Sequence, residues 1–473
     1  MTLDLRSLAR AQLVARGFDP ELPPLEEAAP DGAGVRDLRG LLWSSIDNTE
    51  SRDLDQVEVA EALPGGATRL LVGIADVDAL VRKGSRVDER AARNTVSVYT
   101  GVATFPMLPE VLSTDRSSLN LDQDRLAIVI EFTCAKDGTL SSPDVYRALL
   151  RNHARLSYDD LGDWLAGKAP VPPQVSGTPG LEAQLQLQNT ATLALLADRQ
   201  RRGALQLETI EAQAVIKDGR VVDVKVAKKS RSKELIEDLM IAANGVMAGF
   251  LDSKGRSSIR RVVREPARWD RIVALAQTFG EALPPQPSGP ALAAFLVKRR
   301  AADPQRFADL SLAIVKLLGP GEYVLHRAGE ESPGHFGLAA HDYAHSTAPN
   351  RRYADLVTQR LVKAALAGTP APYTDDELAQ IARHCTEKEG DSRKVERFVR
   401  KAASALLLQD KLGQTFDAIV TGASPKGTFV RLLQPPAEGR VIRGEKGMDV
   451  GQQVRVKLVA AVPEKAFIDF EKV

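Results

Sequence analysis

The sequence predicts an α+β protein: a mixed, mostly antiparallel sheet packed with helices, a small all-β barrel after it and a short helical arm before it. Three observations carry this prediction. Segments 68–77 and 125–134 are rich in β-formers and bounded by Gly, Asp and Lys. Most of the region 233–413 reads as helix, interrupted near Pro266, Pro284 to Pro290 and Pro333. The remainder, 413–473, breaks into five short alternating segments, the texture of a small barrel.

Taken in order, residues 3–16 place Leu5, Leu8, Ala9, Leu13 and Val14 on one helical face, and Gly17, Pro20, Pro23 and Pro24 end the helix. Residues 1–36 are too few for a core of their own, so they form an arm and linker docked on the main domain. That domain spans 37–412. Within it Pro106 and Pro109 make 99–109 an irregular loop, and 159–165 is a short helix. A Pro-rich stretch at 169–179 precedes a long helix to about residue 202. Strands return at 205–226, with Lys217-Asp218-Gly219-Arg220 as a hairpin turn. No internal repeat is present.

Composition narrows the class. The chain has 473 residues, 44% hydrophobic and 26% charged, enough for two or three globular domains. A net charge of +1 provides no global basic field, so any polyanion path must come from local clusters such as 199–202, 256–264, 298–300 and 393–401. Cys134 and Cys385 are too few for a disulfide framework or a cysteine-built zinc site. The N-terminus lacks an apolar signal core and no run approaches transmembrane length. A cytoplasmic, monomeric protein with no membrane contact and no organic cofactor is the expectation.

The chemistry concentrates at 44–56. Asp47, Asp53 and Asp55 fall within nine residues, right after the apolar Leu41-Leu42-Trp43. Two residues apart in an extended segment, Asp53 and Asp55 face one side, and a turn brings Asp47 back to them. Mg²⁺ takes hard oxygen ligands and keeps several waters, so such a trio suits one ion or a pair. An acidic surface loop is the plain structural alternative. Gln56 faces away in a regular strand unless a bulge re-aims it. The second informative stretch, 335–356, carries Arg351 and Arg352 at a loop-to-helix boundary, suited either to phosphate or to structural ion pairs, for instance with Asp355. Its histidines match no zinc spacing. In the C-terminal barrel, Phe416 and Phe429 offer aromatic faces, with Lys426 and Arg431 near them, a composition suited to single-stranded nucleic acid; the alternative is that both rings are core.

Several separated segments together resemble the ribonuclease II / ribonuclease R family, the RNB-domain exoribonucleases. Asp47-x5-Asp53-x-Asp55 is similar to its D-x5-D-x-D-D motif, Val72-Gly73-Ile74-Ala75-Asp76-Val77 to its following strand, and Phe105-Pro106-Met107-Leu108-Pro109 to its proline loop. Arg202-Gly203-Ala204-Leu205, Glu237-Asp238-Leu239-Met240 and the 335–356 stretch come next, in the family's order. The segment from Gly413 resembles an S1-type OB fold. The resemblance implies a Mg²⁺-dependent hydrolase, with Mn²⁺ as a substitute ion, that degrades single-stranded RNA processively from its 3′ end to 5′-nucleoside monophosphates. Residue by residue it implies that Asp47, Asp53 and Asp55 are catalytic metal ligands, joined by Gln56, and that Arg351 is catalytic. It places Tyr99 against the 3′-terminal base, Tyr158 and Glu237 at the ribose, and Arg351 and Glu396 among the RNA contacts, to which the chemistry of the residues themselves adds Arg352 and Phe429.

Three departures set this chain apart from the pattern. The fourth acidic position is Gln56, which offers a carbonyl oxygen without charge. A second base-stacking aromatic is replaced near Leu207. The paired N-terminal cold-shock domains of longer relatives are expected to be missing, with only the arm in their place. Gln56 also supports a competing expectation, a catalytically weak RNA-binding protein of the same fold. A phosphodiesterase acting on DNA or small nucleotides is disfavoured by the S1-type segment.

Overall fold

A computed structural model describes residues 3–24, 32, 34–208, 212–217, 220–226, 229–304, 306–424, 427–448 and 450–473. Its central sheet runs in the order Arg36–Asp37, Leu140–Ser157, Trp43–Asp47, Gln56–Ala62, Thr68–Ala75, Asp124–Cys134. The 18-residue strand Leu140–Ser157 closes this sheet on itself. Its first part pairs antiparallel with Asp124–Cys134, and its last residues pair in parallel with Trp43–Asp47. Pairing on both sides leaves five of the strands without a free edge. The sheet is thus mixed and mostly antiparallel, as the sequence predicts.

The sheet is buried on both faces, and Trp43, Ile46, Val57, Leu71, Ile74 and Phe132 are all essentially inaccessible. Truncating Trp43 or Phe132 to Ala would cost about 3–5 kcal/mol. Gly73 is required by this packing: a Cβ there would meet Leu150 Cδ1 at 2.4 Å and the Trp43 ring at 3.2 Å. Strand direction then sets the functional rim. Asp47 ends one strand, Gln56 begins its antiparallel neighbour, and Asp47 pairs with Ser157, so Asp47, the 48–56 connection and Tyr158 share one end of the sheet.

Helices cover that end. Ser230 caps Arg231–Ser253 by accepting the Lys233 N–H, and Asn244 on this helix accepts both the N–H and the hydroxyl of Ser346 at 2.8 Å. Gln359 of helix Tyr353–Ala367 donates to the Ala75 carbonyl at 2.6 Å, seating the helix against the strand end. A Thr374/Glu377 capping box starts the 34-residue helix Asp375–Leu408. The arm helix Leu5–Val14 lies along it, burying Ala9 and Leu13 beside Val395 and Val399. Among the described residues no helix is long and apolar enough to cross a membrane.

The final segment closes into the expected five-stranded barrel, in the order Thr415–Ser424, Gly427–Leu432, Glu438–Arg443, Phe467–Lys472, Gln453–Val462. One expectation about its surface needs correction. Arg431 does not stand on a nucleic-acid face: it is 8% exposed and ion-paired to Asp309 at 3.0 Å, tying the barrel to helix Phe307–Leu318. Phe416 packs against the barrel's apolar core. Phe429 is half-buried, with Lys401 Nζ 6.0 Å from its ring centre. Lys426 lies outside the described residues, as do the turn residues Asp218 and Gly219 of the hairpin Ala212–Lys217/Arg220–Val226. Elsewhere 99–109 is more ordered than its prolines suggest, because Val98–Tyr99 and Thr104–Phe105 pair as a short hairpin whose turn contains Gly101 at φ 77°.

Candidate active site

A cavity of about 330 Å³ opens at the sheet rim and is lined by Asp47, Asp53, Asp55, Gln56, Tyr99, Tyr158, Thr347 and Arg351 among others. It unites residues as far apart in sequence as Asp47 and Arg351. Local structure accounts for the carboxylates. The segment 51–55 is irregular, and Leu54 plugs the core while its N–H donates to Ser118 Oγ at 3.0 Å. With Leu54 turned inward, Asp53 and Asp55 both face the cavity, the i, i+2 relation read from sequence. Gln56 differs from the regular-strand expectation. Asp55 precedes the strand that Gln56 begins, so the two successive side chains line one cavity.

Each carboxylate is held and still has lone pairs to offer. Asp55 accepts the Asn350 N–H at 3.0 Å on one oxygen and Arg351 Nε at 3.2 Å on the other. Asp53 accepts the Tyr99 hydroxyl at 3.1 Å, and Asp47 accepts the Asn48 N–H at 2.7 Å. Burial pushes Asp55 up to about 7 against the opposing pull of Arg351 and the Asn350 amide. Burial raises Asp47 as well, countered by the Asn48 amide, Ser51 and Arg351. Desolvated carboxylates facing a cavity are poised for a compensating cation.

The donor set tests which cation fits. The lining offers carboxylate and amide oxygens and neither His nor Cys, which suits Mg²⁺ or Mn²⁺ rather than zinc. Among the described residues only Asp252, His326 and Asp342 bring three ligand atoms within 4.8 Å of one another. There the buried Arg260, 3.3 Å from Asp252, already provides the positive charge. The rim aspartates stand wider apart, compatible with an ion that keeps several of its waters.

The two adjacent arginines divide their work. Arg351 keeps 45% of its side chain exposed while bonding Asp55, whereas Arg352 is committed to Asp355 at 2.7 Å and to Thr347. Tyr99, 43% exposed, presents a ring beside the aspartates. Tyr158 shares the cavity wall with Ile236 and Met240 of helix Arg231–Ser253, but Glu237 of the same helix lines a neighbouring cavity together with Leu207. Glu396 lies behind Tyr99, accepting its backbone N–H and a 2.8 Å bond from Ser392.

Sequence reading missed Glu58. It is fully buried, neither carboxyl oxygen has a hydrogen-bond partner among the described residues, and burial with the nearby Asp47 raises its pKa well above the usual range. The available signal was its place two residues beyond Gln56 on one strand.

A carboxylate-rimmed, strand-closed sheet joined to a five-stranded OB-type barrel defines the class. The RNB domain profile matches residues 35–368, and the profile of the RNase II-type exonuclease C-terminal S1 domain matches 414–473. The chain belongs to the RNB-domain family. It is 30% identical over 498 residues to Ribonuclease R of Vibrio cholerae, an alignment covering 96% of this chain and 59% of that protein. With Ribonuclease R of Escherichia coli it shares 30% identity over 435 residues, covering 88% and 52%. The chain therefore spans between half and three-fifths of the length of these two relatives. In fold it is similar to Mycoplasma genitalium RNase R solved with ribose-methylated single-stranded RNA, with a TM-score of 0.86 at 23% identity, covering 99% of this chain and 78% of that one. Yeast Ssd1, described as a pseudonuclease, shares the fold with a TM-score of 0.70 at 18% identity, covering 93% and 55%.

Proposed function

We propose that this protein is a Mg²⁺-dependent 3′-to-5′ exoribonuclease that hydrolyses single-stranded RNA processively to 5′-nucleoside monophosphates. The single observation that carries this reading is the convergence of Asp47, Asp53, Asp55, Tyr99 and Arg351 on one cavity. In the reaction a water oxygen bonds to the last internucleotide phosphorus and the P–O3′ bond breaks. The departing 3′ oxygen takes up a proton, leaving a strand one nucleotide shorter and a free 5′-monophosphate.

Asp47, Asp53 and Asp55 would hold the ion, with the Gln56 carbonyl oxygen as an uncharged fourth donor. When bound, Mg²⁺ supplies Lewis-acid activation of water and neutralisation of phosphate charge. Arg351, fixed by Asp55 and still half open, offsets charge developing on the phosphoryl oxygens. Tyr99 stacks the terminal base, its tilt set by the bond to Asp53. Tyr158 contacts the ribose side of the cavity, where a 2′-hydroxyl distinguishes RNA from DNA. Residues 413–473 act as the RNA-binding module. The pseudonuclease among the fold neighbours makes a direct test necessary. Digestion of 5′-labelled RNA should yield, only with Mg²⁺, a short limit product with few intermediates between it and full length; a matched DNA oligomer should resist. RNA bound but left intact would establish the catalytically weak alternative.

A further inference from the structure

The arm is joined to the hairpin that carries Tyr99 by two independent sets of contacts. The first is apolar: Ala9, Leu13 and Phe18 of the arm form one buried cluster with Val98 of the hairpin and with Val395 and Val399, and Val102 at the hairpin tip packs against it. The second is polar. The guanidinium of Arg90, 5% exposed, donates to the arm carbonyls of Asp19 and Glu21 on one side. On the other it donates to the carbonyls of Pro106 and Met107, which directly follow the hairpin. Asn94 adds a reciprocal pair with Asp19, its Oδ1 accepting the backbone N–H and its Nδ2 donating to the carbonyl, both at 2.8 Å. Lys388 fixes the end of the arm helix by donating to the carbonyls of Arg16 and Gly17 at 2.9 and 2.7 Å.

The hairpin is in turn continuous with the site. Ser97 donates its N–H to the Arg351 carbonyl at 3.0 Å, Tyr353 donates its N–H to the Thr95 carbonyl at 2.8 Å, and the Tyr99 hydroxyl bonds Asp53. Paired strands of two residues each are too short to hold the hairpin by themselves, so it depends on outside contacts: Glu396 at the Tyr99 N–H, the Arg351 carbonyl at Ser97, and the arm.

We propose that the N-terminal arm is a positioning element of the active site: through Phe18, Leu13 and the Arg90 clasp it holds the Tyr99 hairpin, and so sets the length at which a shrinking RNA is released. The inference rests on the exoribonuclease reading for its second half. A loosened Tyr99 stacks the terminal base less firmly, and a short RNA with few upstream contacts then dissociates earlier. The limit product becomes longer while the rate of each step on long RNA, set by groups the arm does not touch, is unchanged.

The test compares full-length wild type, Phe18→Ala, Phe18→Leu and Arg90→Lys by amide hydrogen exchange and by digestion of a 5′-labelled oligoribonucleotide. Phe18→Ala and Arg90→Lys should each accelerate exchange of residues 96–105 about tenfold or more with strand Thr415–Ser424 unchanged. Each should also lengthen the limit product toward that of Tyr99→Ala, with the initial release rate within about twofold of wild type. Phe18→Leu should restore both. Unaltered hairpin exchange in a folded variant overturns the proposal, and so does faster exchange with an unaltered limit product. If wild type itself leaves RNA intact, the exoribonuclease reading fails, while the exchange measurement still decides whether the arm holds the hairpin. Should Phe18→Ala not fold, Arg90→Lys gives the same decision.

Discussion

Arg351 Nε lies 3.2 Å from Asp55 Oδ2 while the N–H of its neighbour Asn350 reaches the other oxygen at 3.0 Å, so one loop orients the most buried of the rim aspartates. Replacing Arg351 by Met should therefore lower the rate of nucleotide release by about 10²–10³-fold. RNA affinity, measured separately in Ca²⁺ to suppress turnover, should fall far less. An equal loss in both would make Arg351 a binding group only.

Gln56 sets the charge of the ion site. Gln56→Asp adds a carboxylate beside Asp55, and the half-saturating Mg²⁺ should drop roughly tenfold, because affinity for hard cations rises with ligand charge. The same variant, stripped of metal, should melt at a lower temperature than wild type, since it buries one more uncompensated charge. A Mg²⁺ titration of activity and a melt in EDTA check the two halves.

Proton linkage at Asp55 gives a pH signature in the metal-free protein. Its folded pKa, pushed up to about 7 by burial, exceeds the ordinary carboxylate value of 3.8. The folded state therefore binds the proton more tightly, and this stability contribution is full below 3.8 and lost as pH rises through 7. In EDTA, Asp55→Asn should be more stable than wild type at pH 8, by about 2 kcal/mol, with the difference shrinking toward pH 5. Denaturant melts at the two pH values measure it. A pH-independent difference contradicts the linkage.

Most of the fold was legible because its signals are local. Alternating strands, prolines and the 47–55 spacing fix elements within a few residues of where they lie. The closed barrel was legible in five short strands. Arg351 was placed at the aspartates only through resemblance, since nothing in sequence couples positions 296 apart. Arg431 was misplaced for the same reason: a cation on a strand reads as solvent-facing until its buried partner Asp309, on a distant helix, is known. Glu58 escaped notice because a carboxylate inside a strand ordinarily faces water.

The Asp309–Arg431 pair should be strongly stabilising in the sense that either single loss is costly. Asp309→Asn leaves a buried guanidinium uncompensated and should destabilise the protein by about 3 kcal/mol, read as a lower Tm. The double variant Asp309→Leu/Arg431→Met should recover much of that loss.

The most direct measurement is digestion of 5′-labelled single-stranded RNA by Asp55→Asn beside wild type, with Mg²⁺ and with EDTA. Wild type should give, only with Mg²⁺, a short 5′-labelled limit product together with free 5′-mononucleotides detected by chromatography, and Asp55→Asn should bind the RNA and leave it whole. Mg²⁺-dependent mononucleotide release by Asp55→Asn at the wild-type rate would contradict the assignment of the rim aspartates as the catalytic centre.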